Sequence, residues 1–181
     1  MRQQLAAMNF EISKATEILE RTPAVIEALL NGLSGEWTSN SEGNGTWSPY
    51  DVLGHLIHGE KTDWIPRVKI ILSEQNDKRF VTFDRFAQFT DSKNKSLRQL
   101  LDEFKWRRAE NVSFLRRLNL SESDLQKTGI HPEFGVVTLK QHLSAWAVHD
   151  LAHIAQISRV MAKQYKEEVG PWIDYLSILN K

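Results

Sequence analysis

Apolar residues recur at spacings of three and four in one stretch of this chain after another, and nowhere do they alternate as in a half-buried strand. That pattern restricts the chain to helices that bury a stripe against one another. The first stretch, Leu5, Met8, Ile12 and Leu19, runs into Pro23. Thr22 and Pro23 then read as an N-cap and a first-turn proline that open the next helix, with Val25, Ile26, Leu29, Leu30 and Leu33 inward and an end near residues 32–35. Residues 39–45 are loop by composition. Ser48, Pro49 and Asp51 open a long helix whose stripe is Leu53, Leu56, Ile57, Trp64, Val68, Ile71 and Leu72, and Pro66 predicts a kink between residues 62 and 65. Residues 76–95 have no clean period and read as a long connection carrying Phe80, Phe83, Phe86 and Phe89. Capping boxes at Ser96/Gln99 and Thr138/Gln141 open two more long helices, the last running to about Tyr165. Between them, residues 119–137 form a second connection with a turn of helix at 121–125. The aromatic tail at 170–176 is expected to dock on the body. With no strand signal, the expectation is an all-α four-helix bundle with long connections, one domain spanning residues 1–181.

Composition narrows what such a bundle does. The 181 residues carry 23 basic and 23 acidic side chains, so the formal net charge is zero and no nonspecific pull toward nucleic acid or anionic lipid is expected. The absence of cysteine removes disulfides, thiolate metal sites and a cysteine nucleophile. No apolar stretch is long enough to span a membrane, and the N-terminus lacks the apolar run of a secretory signal, so a cytoplasmic location is expected.

Six histidines supply the chemistry. His149 and His153 are four apart on the last helix, on its inward stripe with Leu139, Leu143, Trp146, Asp150, Ile157 and Val160. Inward imidazoles need a hydrogen-bond partner or a metal, and two neighbours can share one ion. His142 lies about 10 Å farther along the axis, too far to share it, and reads as a core or pocket histidine. A third ligand must come from another helix. His55, on the face of Leu53, Leu56 and Ile57, fits better than His58 at its margin. Three imidazoles leave a fourth position open, the arrangement of a catalytic site, and do not by themselves separate zinc, nickel, iron and manganese. The run His149-Asp150-Leu151-Ala152-His153 differs from the zincin pattern by aspartate for glutamate, but the expected strands are lacking, so Asp150 reads as a partner of the ligands or of the bundle's polar network.

Two blocks then carry a family resemblance. Residues 47–56, ending in His55 and Leu56, and residues 146–159, containing His149 and His153, resemble those of the DinB-like (YfiT/DinB) four-helix-bundle metalloproteins, with the likeness covering roughly residues 20–175. The resemblance implies an up-down-down-up bundle, frequent homodimers, a small-molecule substrate, and a divalent metal, zinc or nickel first, on His55, His149 and His153. It implies an enzyme in which the metal activates a low-molecular-weight thiol for transfer to a small electrophile. Metal-dependent hydrolysis ranks just behind, and the rival class is a non-catalytic metal-binding stress protein.

Glu60 and Asp150 are the candidate acid/base groups or outer partners of the ligands. His131 reads as a surface-loop histidine, with the bundle mouth as the alternative. Arg107 and Arg108 read as a solvated face, and Arg67 and Arg159 as anchors for an anionic group. Trp64, Trp106 and Trp146 read as core, and Trp37, Trp47 and Trp172 as the rim of a pocket or a dimer seal.

Overall fold

A computed structural model describes residues 8–180; Leu5, at the head of the first apolar stretch, lies outside them. The long helices are α1 (Ile12–Leu30), α3 (Pro49–Thr62), α6 (Leu97–Arg117) and α8 (Leu139–Lys163), with α4 (Trp64–Leu72) continuing the line of α3. Short helices α2 (Gly35–Ser39), α5 (Ala87–Asp91) and α7 (Glu122–Leu125) occupy the connections. Capping boxes at Ser48/Asp51, Ser96/Gln99, Ser121/Asp124 and Thr138/Gln141 start α3, α6, α7 and α8 by satisfying their orphan N–H groups.

The packing dictates the directions. Leu19 of α1, Val112 and Leu115 of α6, and Leu139 and Leu143 of α8 share one core cluster with α4. Ile26 and Leu30, Val52 and Leu53, Leu100 and Leu101, and Ile157 share the other. The early part of α1 therefore meets the early part of α8 and the late part of α6, while α3 and α6 begin at the same end. Tyr50 Oη, at the start of α3, reaches the carbonyl of Lys95, just ahead of α6, at 2.6 Å. The fold is an all-α bundle running up-down-down-up, and the long segment between α4 and α6 returns the chain so that α6 can run parallel to α3.

Four expectations are corrected. First, α1 is continuous through Pro23 rather than broken at Thr22. A proline inside a helix leaves the carbonyl four residues back without its donor. Here that carbonyl, Leu19, accepts from Arg108 Nη1 at 2.8 Å, so α6 supplies the missing bond. Pro66, by contrast, does interrupt its line, and α3 passes to α4 at Asp63.

Second, residues 128–138 form an antiparallel hairpin, β1 (Thr128–His131) and β2 (Gly135–Thr138). Four residues per strand are too few to show alternation. The hairpin is held instead by long-range bonds: Phe80 N–H to the Ile130 carbonyl and Ile130 N–H to the Lys78 carbonyl, each 2.9 Å. Gly129 permits this, because a Cβ there would lie 2.4 Å from the Phe80 ring.

Third, Trp106 is 59% exposed rather than core. Fourth, the tail docks through buried Leu179, whereas Trp172 and Tyr175 stay exposed. Among the described residues, no helix is long and apolar enough to cross a membrane.

Candidate metal centre

His55 projects from α3 and His149 and His153 from adjacent turns of α8, and their ligating atoms lie within 4.8 Å of one another. His149 Nε2 is 3.2 Å from His55 Nε2 and 3.0 Å from His153 Nε2. Three nitrogens on one tetrahedral zinc, at about 2.05 Å each, would stand about 3.3 Å apart, so the trio is nearly preset for an ion. His58 is not part of it; its ring faces Asp91 on α5.

Burial keeps these rings neutral, the form a metal requires. It pushes His149 down to about 2 and His55 to about 3, and in both cases the nearby His153 adds to the shift. His153 is also lowered by burial, partly opposed by its bond with Gln156, whose Oε1 is 2.8 Å from His153 Nδ1. The Nδ1 atoms of His55 and His149 are buried and unpartnered. A cluster of mutually close imidazoles with orphaned nitrogens is an unfavourable way to fill a bundle unless a cation completes it. The donor set fits a divalent metal.

The cavity over these rings measures about 310 Å³ and is walled by Trp47, Trp64, Phe83, Asp63, Arg67 and Arg85 and by the hairpin tip from His131 to Phe134. His131 therefore faces the pocket, stacked on Phe134 at 4.4 Å, rather than only the surface. Arg67 is buried, bridges to Asp63 with Nε 2.5 Å from Oδ1, and lies over the Phe80 ring at 5.0 Å. Arg159, the other expected anchor, pairs instead with Glu42 at 2.6 Å and does not line this cavity. Burial lifts the Asp63 carboxyl to about 6 against the opposing pull of Arg67.

Glu60 and Asp150 lie beneath the cavity, not on its wall. Both side chains are fully buried on Arg108. Arg108 donates through Nε and Nη2 to Glu60 Oε1 at 3.0 and 2.8 Å, through Nη2 to Asp150 Oδ1 at 2.9 Å, and through Nη1 to Asp150 Oδ2. Asn111 Nδ2 and Trp146 Nε1 add bonds to Glu60 at 2.9 and 3.2 Å. Burial alone would lower the Arg108 pKa, but its two carboxylates outweigh that and hold it above its ordinary range. The expected solvated face at Arg108 is thus wrong: the residue is 1% exposed. Its only sequence signal was its place four residues after Phe104 and four before Val112, on the inward stripe of α6.

A helical bundle with an open three-histidine site at its mouth defines a class of metal-binding proteins in which catalysis and binding share one fold. Residues 18–157 match the DinB superfamily, and the chain belongs to that superfamily. Among its relatives is a protein of Oceanobacillus iheyensis named a putative metal-dependent hydrolase, 24% identical over 158 residues, covering 86% of this chain and 89% of the relative. Among solved structures, YfiT from Bacillus subtilis, described as a probable metal-dependent hydrolase with an unusual four-helix bundle topology, superposes with a TM-score of 0.71 at 18% identity, covering 94% of both chains. That likeness establishes the shared fold.

Proposed function

We propose that the chain is a metal-dependent hydrolase of a small molecule, with a divalent ion, zinc or nickel, held by Nε2 of His55, His149 and His153. The observation that carries this reading is the convergence of three neutral imidazoles, two with unpartnered Nδ1 atoms, at the floor of an open cavity. The ion would supply Lewis acidity, toward water and toward a polarised substrate oxygen. The relatives' names point to hydrolysis, which therefore moves ahead of transfer from a low-molecular-weight thiol, a chemistry those names do not mention.

The chain's own residues would divide the remaining work. Trp47, Trp64 and Phe83 give the cavity apolar walls that limit water and orient a substrate's carbon skeleton. Asp63, a half-buried carboxylate on the wall, is poised near 6 by desolvation, where a group can take and return a proton near neutral pH. Arg67 holds its orientation. Glu60 and Asp150, closed off from the cavity, support α3 and α8 behind the ligands through Arg108.

Protein purified without a metal-binding tag should contain about one equivalent of a transition metal, lost in His153→Ala. The loaded protein should cleave ester, amide or phosphoester probes without added thiol, and Asp63→Asn should lower kcat with metal content unchanged. Turnover only with a thiol supplied would restore the transferase reading. A wild type that takes up neither zinc nor nickel would overturn the enzyme reading in favour of a non-catalytic role.

A further inference from the structure

One ligand of the proposed centre already has an outer partner and another has a candidate for one. A metal-ligating histidine nearly always donates its second ring N–H to a carbonyl, carboxylate or carboxamide oxygen, which fixes the tautomer and aims the lone pair. For His153 that partner is Gln156 Oε1, at 2.8 Å from Nδ1. His55 Nδ1 makes no such bond, although it is buried.

The short helix α5 crosses α3 beside His55. The crossing is close because residue 54 is glycine: a Cβ there would stand 2.5 Å from Ser92 Oγ and 3.5 Å from Gln88 Cβ. The crossing is also fastened at both flanks. Tyr50 Oη bonds the Ser92 carbonyl at 2.7 Å, and Asp91 takes Lys61 Nζ at 2.7 Å. Between these anchors Gln88 is carried inward and is 1% exposed, yet both its Oε1 and its Nε2 are without partners. A carboxamide buried with neither end satisfied is costly, and native structures keep few of them. Gly54 immediately precedes His55 in α3, so Gln88 meets α3 at the turn that carries the His55 ring. Two buried side chains with complementary unmet needs therefore lie at the same crossing of α3 and α5.

We propose that Gln88 is the positioning residue for His55: its Oε1 accepts the Nδ1–H of His55 and so commits the Nε2 lone pair to the metal, as Gln156 does for His153. The inference rests on the metal-centre reading above. It assigns a role to α5, which otherwise looks like filler in an aperiodic connection, and to Gly54, whose missing side chain brings α5 within reach.

The test compares zinc affinity, by chelator competition, in wild type, Gln88→Leu and Gln88→Glu. Leucine keeps the volume but offers no acceptor, and glutamate keeps the acceptor and the reach. Gln88→Leu should bind zinc roughly 10–100-fold more weakly, with Gln88→Glu restored to the wild-type value or better. Equal affinity in all three overturns the proposal, and so does a glutamate variant as weak as the leucine one, which would mark Gln88 as packing only. Should Gln88→Leu fail to fold, Gln88→Glu decides alone by holding or losing affinity. If wild type takes up neither zinc nor nickel, the metal reading fails by itself. The pairing is then judged by long-range proton–nitrogen NMR of the metal-free protein: a His55 Nδ1–H tautomer present in wild type and lost in Gln88→Leu supports it, and an unchanged tautomer overturns it.

Discussion

The bundle interior holds two polar clusters, and consecutive residues of α8 feed both: His149 points to the histidine trio and Asp150 to Arg108. Around Arg108 every charge is buried and every charge has a partner, with Glu60, Asp150, Asn111, Trp146 and the Leu19 carbonyl closing the network. Around His149 the groups are neutral, crowd one another and leave Nδ1 atoms unpaired. A satisfied cluster ties helices together, whereas an unsatisfied one beside a cavity is a place prepared for something else. The satisfied network and the candidate metal centre are thus separated by one residue of helix.

The sharpest way to break that contrast is to remove Arg108. Arg108→Met strands two buried carboxylates and the Leu19 carbonyl, so urea denaturation should show a loss of about 3–5 kcal/mol. Adding Glu60→Gln and Asp150→Asn should recover much of it. A single variant as stable as wild type would mean that the network does not hold the bundle.

The histidine cluster should answer differently. Zinc at about 100-fold over its Kd should raise wild-type stability by about 2.7 kcal/mol, a gain absent in His149→Ala. Metal-free His149→Ala should be no less stable than metal-free wild type, because it removes an orphaned buried nitrogen. Clear destabilisation of the metal-free variant would make the trio a structural element like the Arg108 network.

A histidine outside the trio sharpens the distinction. His142 is buried and donates Nε2–H to the Trp64 carbonyl at 3.0 Å, and burial lowers it to about 4 despite that bond. The folded state therefore binds its proton less readily than the unfolded chain, whose histidine titrates near 6.5. Its contribution is complete above the unfolded value and is lost as pH falls toward 4, by about 2 kcal/mol between pH 7.5 and 5. Denaturation at both pH values should show that slope reduced by this amount in His142→Gln. An unreduced slope would refute the assignment.

The smallest effect belongs outside both clusters. Trp106 is largely exposed, so Trp106→Gln should move the melting free energy by less than about 0.5 kcal/mol. A larger loss would mean that the residue is covered by something, in keeping with the dimer expected from the family resemblance.

Much of this was legible in order of residues. The stripes of α3, α6 and α8, the capping boxes at Ser48, Ser96 and Thr138, and the i, i+4 pair His149/His153 are local patterns, and local patterns survive into the fold. The third histidine could be read because His55 lies on its helix's inward face. Other features were hidden. Pro23 reads as a helix start until Arg108, far along the chain, caps the carbonyl it frees. The hairpin carrying His131 has strands too short to show a period and depends on Phe80 and Lys78. Gln88 lies in a segment without periodicity, and only the approach of α5 over Gly54 brings it to His55.

The sequence by itself therefore determined the long helices α3, α6 and α8, most of their buried stripes and the inward placing of His55, His149 and His153, since these follow from spacings within a few residues. The tertiary structure alone decided which polar groups are satisfied. Arg108 became the tie of four helices, Glu60 and Asp150 were withdrawn from the cavity, and Asp63 and Gln88 were brought to the site. Satisfaction of a buried polar group depends on partners remote in sequence, and burial sets what an unsatisfied one costs.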